Sequence, residues 1–162
     1  MCCGDPAARG RRLLAVSFRS MTADLEVRIY RTDDEAAVVA LWNDGFPNAG
    51  PWNEPRFVIA KKLAMQSDLF FVAVEDRAIV GTAMGGYDGH RGWLYTVAVR
   101  SDLRRRGIGS ALVRQVETSL AALGCPKLNL QVRATNAAVI AFYERLGYEV
   151  EERVSMGKRL GS

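Results

Sequence analysis

Val97-Ala98-Val99-Arg100-Ser101-Asp102-Leu103-Arg104-Arg105-Arg106-Gly107-Ile108-Gly109-Ser110 decides how the chain is read. It runs from a strand-like apolar triplet through a basic loop into the start of a helix. Beyond it Ile108, Leu112, Val116 and Leu120 repeat every four residues, with Val113 and Leu123 on the same broad face, the period of an amphipathic helix. Gly124 and then Pro126 end that helix. At a helix start several backbone N–H groups lack intrahelical partners and lie at the positive end of the dipole. A pyrophosphate needs such an array, glycines at 107 and 109 let it approach the backbone, and the arginines add charge-assisted hydrogen bonds. Taken alone the segment is equally compatible with a solvated charge run and a glycine-shaped turn. The third glycine of the dinucleotide fingerprint is missing, and so is the G-K-[ST] of a P-loop.

Working outward, Trp93 to Val99 reads as a strand, preceded by the Gly89–Gly92 turn. Before it, Leu69 to Glu75 and Ala78 to Gly86 form two more strands joined by the two-residue turn Asp76-Arg77. Strands linked this tightly imply an antiparallel meander. Upstream, Glu26 to Tyr30 alternates as a first strand, and Asp33-Asp34-Glu35 opens a helix with Ala37, Val38, Leu41 and Trp42 at helical spacing. A second helix spans Glu54 to Gln66. Downstream, Lys127 to Arg133 alternates, a helix runs from Asn136 to Leu146 and stops at Gly147, and Tyr148 to Met156 is expected as a closing strand. The order β-α-α-β-β-β-α-β-α-β makes one α/β domain, a mixed and mainly antiparallel sheet flanked by helices.

Hydrophobic residues make up 49% and charged residues 25% of 162, the balance of a globular protein. No apolar run nears the roughly 18 to 20 residues of a membrane span, which points to the cytoplasm and to no membrane partner. The net charge is +4, but residues 1–20 hold four arginines against Asp5, which leaves +1 for the rest. That distribution weakens a nucleic-acid reading. Residues 1–20 are expected to be a disordered leader, with the domain running from 21 to 162. Cys2 and Cys3 have no accompanying ligand cluster and Cys125 stands alone, so no metal site and no disulfide framework is expected.

Arg104-x-x-Gly107-x-Gly109 matches the Q/R-x-x-G-x-G/A signature of the GCN5-related N-acetyltransferase (GNAT) superfamily. The element order also resembles that family over residues 26–160. So does a second region, Leu130 to Asn136 followed by Phe142-Tyr143-Glu144-Arg145-Leu146-Gly147-Tyr148. Met84 to Gly92 and Gly124-Cys125-Pro126-Lys127 resemble the small bacterial YpeA-type acetyltransferases. The resemblance implies acetyl-CoA as co-substrate, an amine acceptor and, as a family tendency, a homodimer. It implies that the backbone of Val97, Ala98 and Val99 pairs with the pantetheine arm. It implies further that Arg104, Arg105, Arg106, Gly107, Ile108, Gly109 and Ser110 hold the pyrophosphate. Asn136 corresponds to a cofactor contact, and equally to an ordinary helix N-cap. Tyr143, which spacing alone would assign to the core, corresponds to the tyrosine that protonates the departing thiolate.

A general base is not evident. Where a related enzyme that acetylates the N-terminal alanine of a ribosomal protein carries glutamate, this chain has Gln131. Asp88, His90 and Glu54 lie in loops and read first as turn residues or solvated charges. Acceptor choice is expected in the loop Phe46 to Pro55, at Tyr87 to Arg91 and after Tyr148. Two other classes remain beside the transferase: an acyl-CoA-binding sensor without chemistry, and a nucleic-acid binder using Arg104 to Arg106.

Overall fold

The computed structural model describes residues 25–47 and 50–160. The leader of residues 1–20, with Cys2 and Cys3, lies outside the described residues. Among the described residues five strands and four α-helices follow one another: β1 (Glu26–Ile29), α1 (Glu35–Gly45), α2 (Pro55–Met65), β2 (Phe70–Glu75), β3 (Ala78–Tyr87), β4 (Gly92–Val99), α3 (Ile108–Ala122), β5 (Leu128–Asn129) and α4 (Ala137–Arg145). The sheet order is β1-β2-β3-β4-β5, antiparallel from β1 to β4 and parallel between β4 and β5. The mixed, mainly antiparallel sheet expected from the sequence is what forms.

Asp76 and Arg77 both take positive φ, 50° and 65°, the geometry of a tight hairpin turn between β2 and β3. Every side chain of β2 except the half-buried Val74 is buried, because helices cover both faces of the sheet. Phe71 and Ala73 face α3, packing with Leu112, Val113 and Val116. Phe70 and Val72 face α1 and α2, packing with Val38, Trp42 and Ile59. The acidic run before α1 does more than complement a helix dipole. Asp34 accepts two hydrogen bonds from Arg28 of β1, at 2.7 and 2.8 Å, and one from the backbone N–H of Arg31 at 2.8 Å. The Arg28 guanidinium accordingly holds the Asp34 carboxyl below its ordinary range.

Two expected strands come out differently. The Lys127–Arg133 strand pairs only at Leu128 and Asn129, because β5 diverges from β4 after two residues. The closing strand over Tyr148–Met156 does not form: residues 148–160 carry no regular secondary structure. That segment alternates like a strand but finds no backbone ladder. Side chains hold it beside β5 instead, through the Lys127–Glu151 ion pair and a 2.7 Å hydrogen bond from Gln131 Nε2 to Ser155 Oγ.

Candidate active site

The divergence of β4 from β5 builds the site. Against β3, Thr82 pairs with Ala98 and Met84 with Tyr95, so Thr96 and Val97 together oppose Ala83 in a β-bulge. Thr96 has φ 52°, a strained conformation for a β-branched residue. Past the bulge, the edge of β4 at Val97, Ala98 and Val99 is out of register with β5, whose pairing ended at Trp93. An open strand edge beside a cleft can take up an amide-bearing chain in place of a neighbouring strand.

At the end of β4 a single turn (Ser101–Leu103) leads to the basic loop. Arg105 and Gly107 have φ 63° and 85°, which folds the loop back onto the start of α3. The Ala111 N–H bonds the Gly107 carbonyl at 3.0 Å. The N–H groups of Ile108, Gly109 and Ser110 therefore lie ahead of the first intrahelical bond and face outward. A Cβ on Gly109 would stand 3.4 Å from Phe142 and 3.7 Å from Val99, so β4, α3 and α4 converge on that glycine. The strand edge, the helix start and α4 thus meet around it.

The three arginines are not equivalent. Arg104 and Arg105 are exposed and have no ion-pair partner among the described residues, whereas Arg106 donates two hydrogen bonds to Glu75 of β2, at 2.9 and 3.1 Å. Its guanidinium is committed to the scaffold. Asn136 caps α4, its side-chain oxygen accepting from the Val139 N–H at 3.4 Å. Glu54 likewise caps α2, accepting from Arg56 and Phe57, and Asp88 accepts from the N–H groups of His90 and Arg91. These two carboxylates have structural work, and His90 belongs to the same turn.

Tyr143 of α4 is buried among Phe142 and Tyr148, both edge-on to it at 4.9 and 5.4 Å between ring centres. It lines a groove of about 1270 Å³ together with Trp93, Gln131 and Glu117. Burial pushes its phenol up to about 12, so Tyr143 carries its proton throughout the neutral range. Glu117 of α3, which the sequence reading missed, accepts a 2.8 Å hydrogen bond from Tyr148 Oη. Nothing in its spacing signals this, since it sits beside the buried Val116 on the shoulder of the helix. Among the described residues no cluster of three metal-ligating side chains occurs, and no helix is long and apolar enough to cross a membrane.

Residues 35–148 match the model of the acetyltransferase (GNAT) family. The chain belongs to that family. It is 48% identical over 136 residues to an acetyltransferase of Pectobacterium atrosepticum, covering 84% of this chain and 96% of that one. An acetyltransferase of Yersinia enterocolitica is 46% identical with the same coverage. Among solved structures, an aminoglycoside N-acetyltransferase in complex with CoA superposes with TM-score 0.70 over 85% of this chain and 95% of its own, at 19% identity, a likeness of fold. The ribosomal-protein-S18-alanine N-acetyltransferase of Escherichia coli superposes with TM-score 0.63 at 28% identity, over 76% of this chain and 77% of its own. The GNAT chain described here is therefore an acetyltransferase.

Proposed function

We propose that this GNAT protein transfers the acetyl group of acetyl-CoA to a primary amine, of a small molecule or of a protein N-terminus or lysine, by direct attack within a ternary complex. The observation that supports the reading is the meeting of β4, α3 and α4 at Gly109, beside the bulged β4 edge and the outward N–H groups at the start of α3, with Tyr143 buried on the same α4. Val97, Ala98 and Val99 would pair with the pantetheine amides, and Gly107, Ile108, Gly109 and Ser110 would offer N–H groups to the pyrophosphate. Arg104 and Arg105 supply charge there, while Arg106 shapes the loop through Glu75. Asn136 caps α4, and its amide nitrogen would be offered to the co-substrate.

Attack of an amine on a thioester needs a neutral nitrogen, a held carbonyl and a proton for the departing sulfur. Tyr143 suits the last role, because a phenol kept neutral by burial can donate as negative charge develops on sulfur. No metal is invoked. Residues 21–162 are taken as the catalytic domain acting in the cytoplasm, with residues 1–20 outside it and a homodimer compatible with the reading. Acceptor selectivity is assigned to the Phe46–Pro55 loop, the Tyr87–Arg91 turn and the segment after Tyr148. That segment reaches back to the first loop, with Arg159 stacked 3.8 Å over the Trp52 ring. Thiol release from acetyl-CoA across a panel of primary amines tests the reading. Amine-dependent release that falls in Tyr143→Phe supports it. Saturable acetyl-CoA binding with no release for any amine class would favour the acyl-CoA sensor instead.

A further inference from the structure

Two tyrosines, Tyr143 and Tyr148, line the same groove, and their hydroxyls are used differently. Among the described residues the one fully enclosed side-chain polar atom without a hydrogen-bond partner is Tyr30 Oη. Tyr143 Oη has no such partner either, so it opens to the groove. Tyr148 Oη donates instead to Glu117 Oε1 of α3 at 2.8 Å. Giving up that proton would leave a phenolate against a carboxylate, so of the two only Tyr143 is free to act as an acid.

The end of α4 brings the pair together. Gly147 takes φ 91°, its N–H bonds the Glu144 carbonyl at 3.0 Å, and the Tyr148 N–H bonds the Tyr143 carbonyl at 3.1 Å. This is the Schellman cap, which lays the residue after the glycine against the first residue of the last turn. Here those two are Tyr148 and Tyr143, with ring centres 5.4 Å apart and planes at 72°. Any apolar side chain at 148 would complete the cap. A tyrosine adds an anchor, because its hydroxyl reaches α3 and is held there by a carboxylate. Glu117 is half-buried and has no cationic partner among the described residues, so a charge at this place is costly unless it serves that bond. Phe142 also stands edge-on to Tyr143, at 4.9 Å, and packs over Gly109 at the start of α3. Both neighbours of the Tyr143 ring are therefore fixed to α3, at positions about 12 Å apart along the helix.

Resting on the transferase reading, we infer that Glu117 and Tyr148 are positioning residues for the acid: the Glu117 carboxylate tethers the Tyr148 hydroxyl, and the tethered ring fixes the direction of the Tyr143 phenol. Neither exchanges a proton in the reaction, and both act through Tyr143. A phenol that swings by about 1 Å loses its alignment with the departing sulfur, and misplacement on that scale costs up to ~100-fold in rate. With Phe142 still in place, a loss of about tenfold is expected when the tether is cut.

Thiol release from acetyl-CoA, with ethylamine or the best acceptor of the amine panel at saturation and chemistry limiting, is the first test. Glu117→Leu and Tyr148→Phe should each lower turnover about tenfold and leave the calorimetric affinity for acetyl-CoA unchanged. Glu117→Gln keeps an acceptor oxygen for Tyr148 and should recover most of the loss. Added to Tyr143→Phe, neither change should lower turnover further, because the group they align is gone. Losses that persist in full in that background, or unchanged turnover in both single variants, would overturn the inference. Ring carbon NMR of the free full chain with labelled tyrosines gives a second readout that needs no turnover. The Tyr143 signals, assigned with Tyr143→Phe, are expected to shift in Glu117→Leu and to return in Glu117→Gln. Signals left at their wild-type positions in Glu117→Leu would also overturn it. Should Glu117→Leu not fold, Tyr148→Phe carries both comparisons, since it keeps the ring and removes only the tether. No thiol release from wild type with any amine would count against the transferase reading, and the ring spectra would then decide the positioning by themselves.

Discussion

Replacing Arg106 and replacing Arg104 should have opposite consequences, although the two stand in one basic run. The Glu75 side chain is 10% exposed and accepts two hydrogen bonds from Arg106, whose own side chain is 49% exposed. Arg106→Ala strands that carboxylate. A fully buried pair broken on one side costs ~3–5 kcal/mol and an exposed pair well under ~1. With one partner enclosed and the other half in water, about 1–3 kcal/mol is expected. For a domain of this size that is a fall in Tm of roughly 3–10 °C. Removing the carboxylate as well, in Glu75→Leu/Arg106→Ala, should restore most of the loss, since neither charge is then stranded. Arg104→Ala should leave stability within ~0.5 kcal/mol. It should weaken acetyl-CoA binding about tenfold or more, the worth of one charge-assisted hydrogen bond to phosphate. Thermal unfolding by calorimetry and acetyl-CoA titration of the same preparations separate the effects. An unchanged Tm in Arg106→Ala, together with the larger affinity loss of the two, would refute the division of labour.

Tyr143→Phe is expected to retain acetyl-CoA affinity while turnover falls by ~100-fold or more. Unchanged turnover, with chemistry rate-limiting, would remove Tyr143 from the mechanism. Because its phenol stays protonated to about 12, the turnover–pH profile should show no descending limb from this group below pH ~10. Thr82→Val strips the acceptor from the buried Trp42 indole N–H, bonded at 2.8 Å, and should cost about 1–3 kcal/mol in denaturant unfolding. The folded state holds Lys62 at about 8, below its unfolded value, so the unfolded chain binds more protons above that pH. Stability should therefore rise as pH climbs from about 8 toward 10, a rise absent in Lys62→Met.

Much of the scaffold could be read from local chemistry. The period of Ile108 to Leu120, the Asp76-Arg77 turn and the Gly124 stop are each decided by neighbouring residues, and each element formed. The basic loop was legible because a helix start and its glycines are contiguous. The division among its arginines was not, since Glu75 lies 31 positions away. Tyr95-Thr96-Val97 reads as plain alternation, and a threonine at positive φ runs against every local preference. The bulge is imposed by pairing with β3 and could not be seen beforehand. The terminal segment shows the converse error: Tyr148 to Met156 has strand periodicity, yet a ladder also needs a partner edge at the right distance. Gly85 and Gly86 carried no legible reason until Val116 and Tyr95 were found packed against them. Lys62 had a weak signal, a polar residue on the stripe begun by Ile59, which ordinary helix reading passes over.

Acetyl-CoA is expected to bind where β4, α3 and α4 meet. Calorimetric titration of the purified full chain tests it most directly. Saturable one-to-one binding of acetyl-CoA is expected, shared by CoA, not reproduced by adenosine, and lost in Arg104→Ala/Gly107→Glu while the protein stays folded. No heat of binding from a folded wild-type chain, or full affinity in that folded double variant, would contradict it.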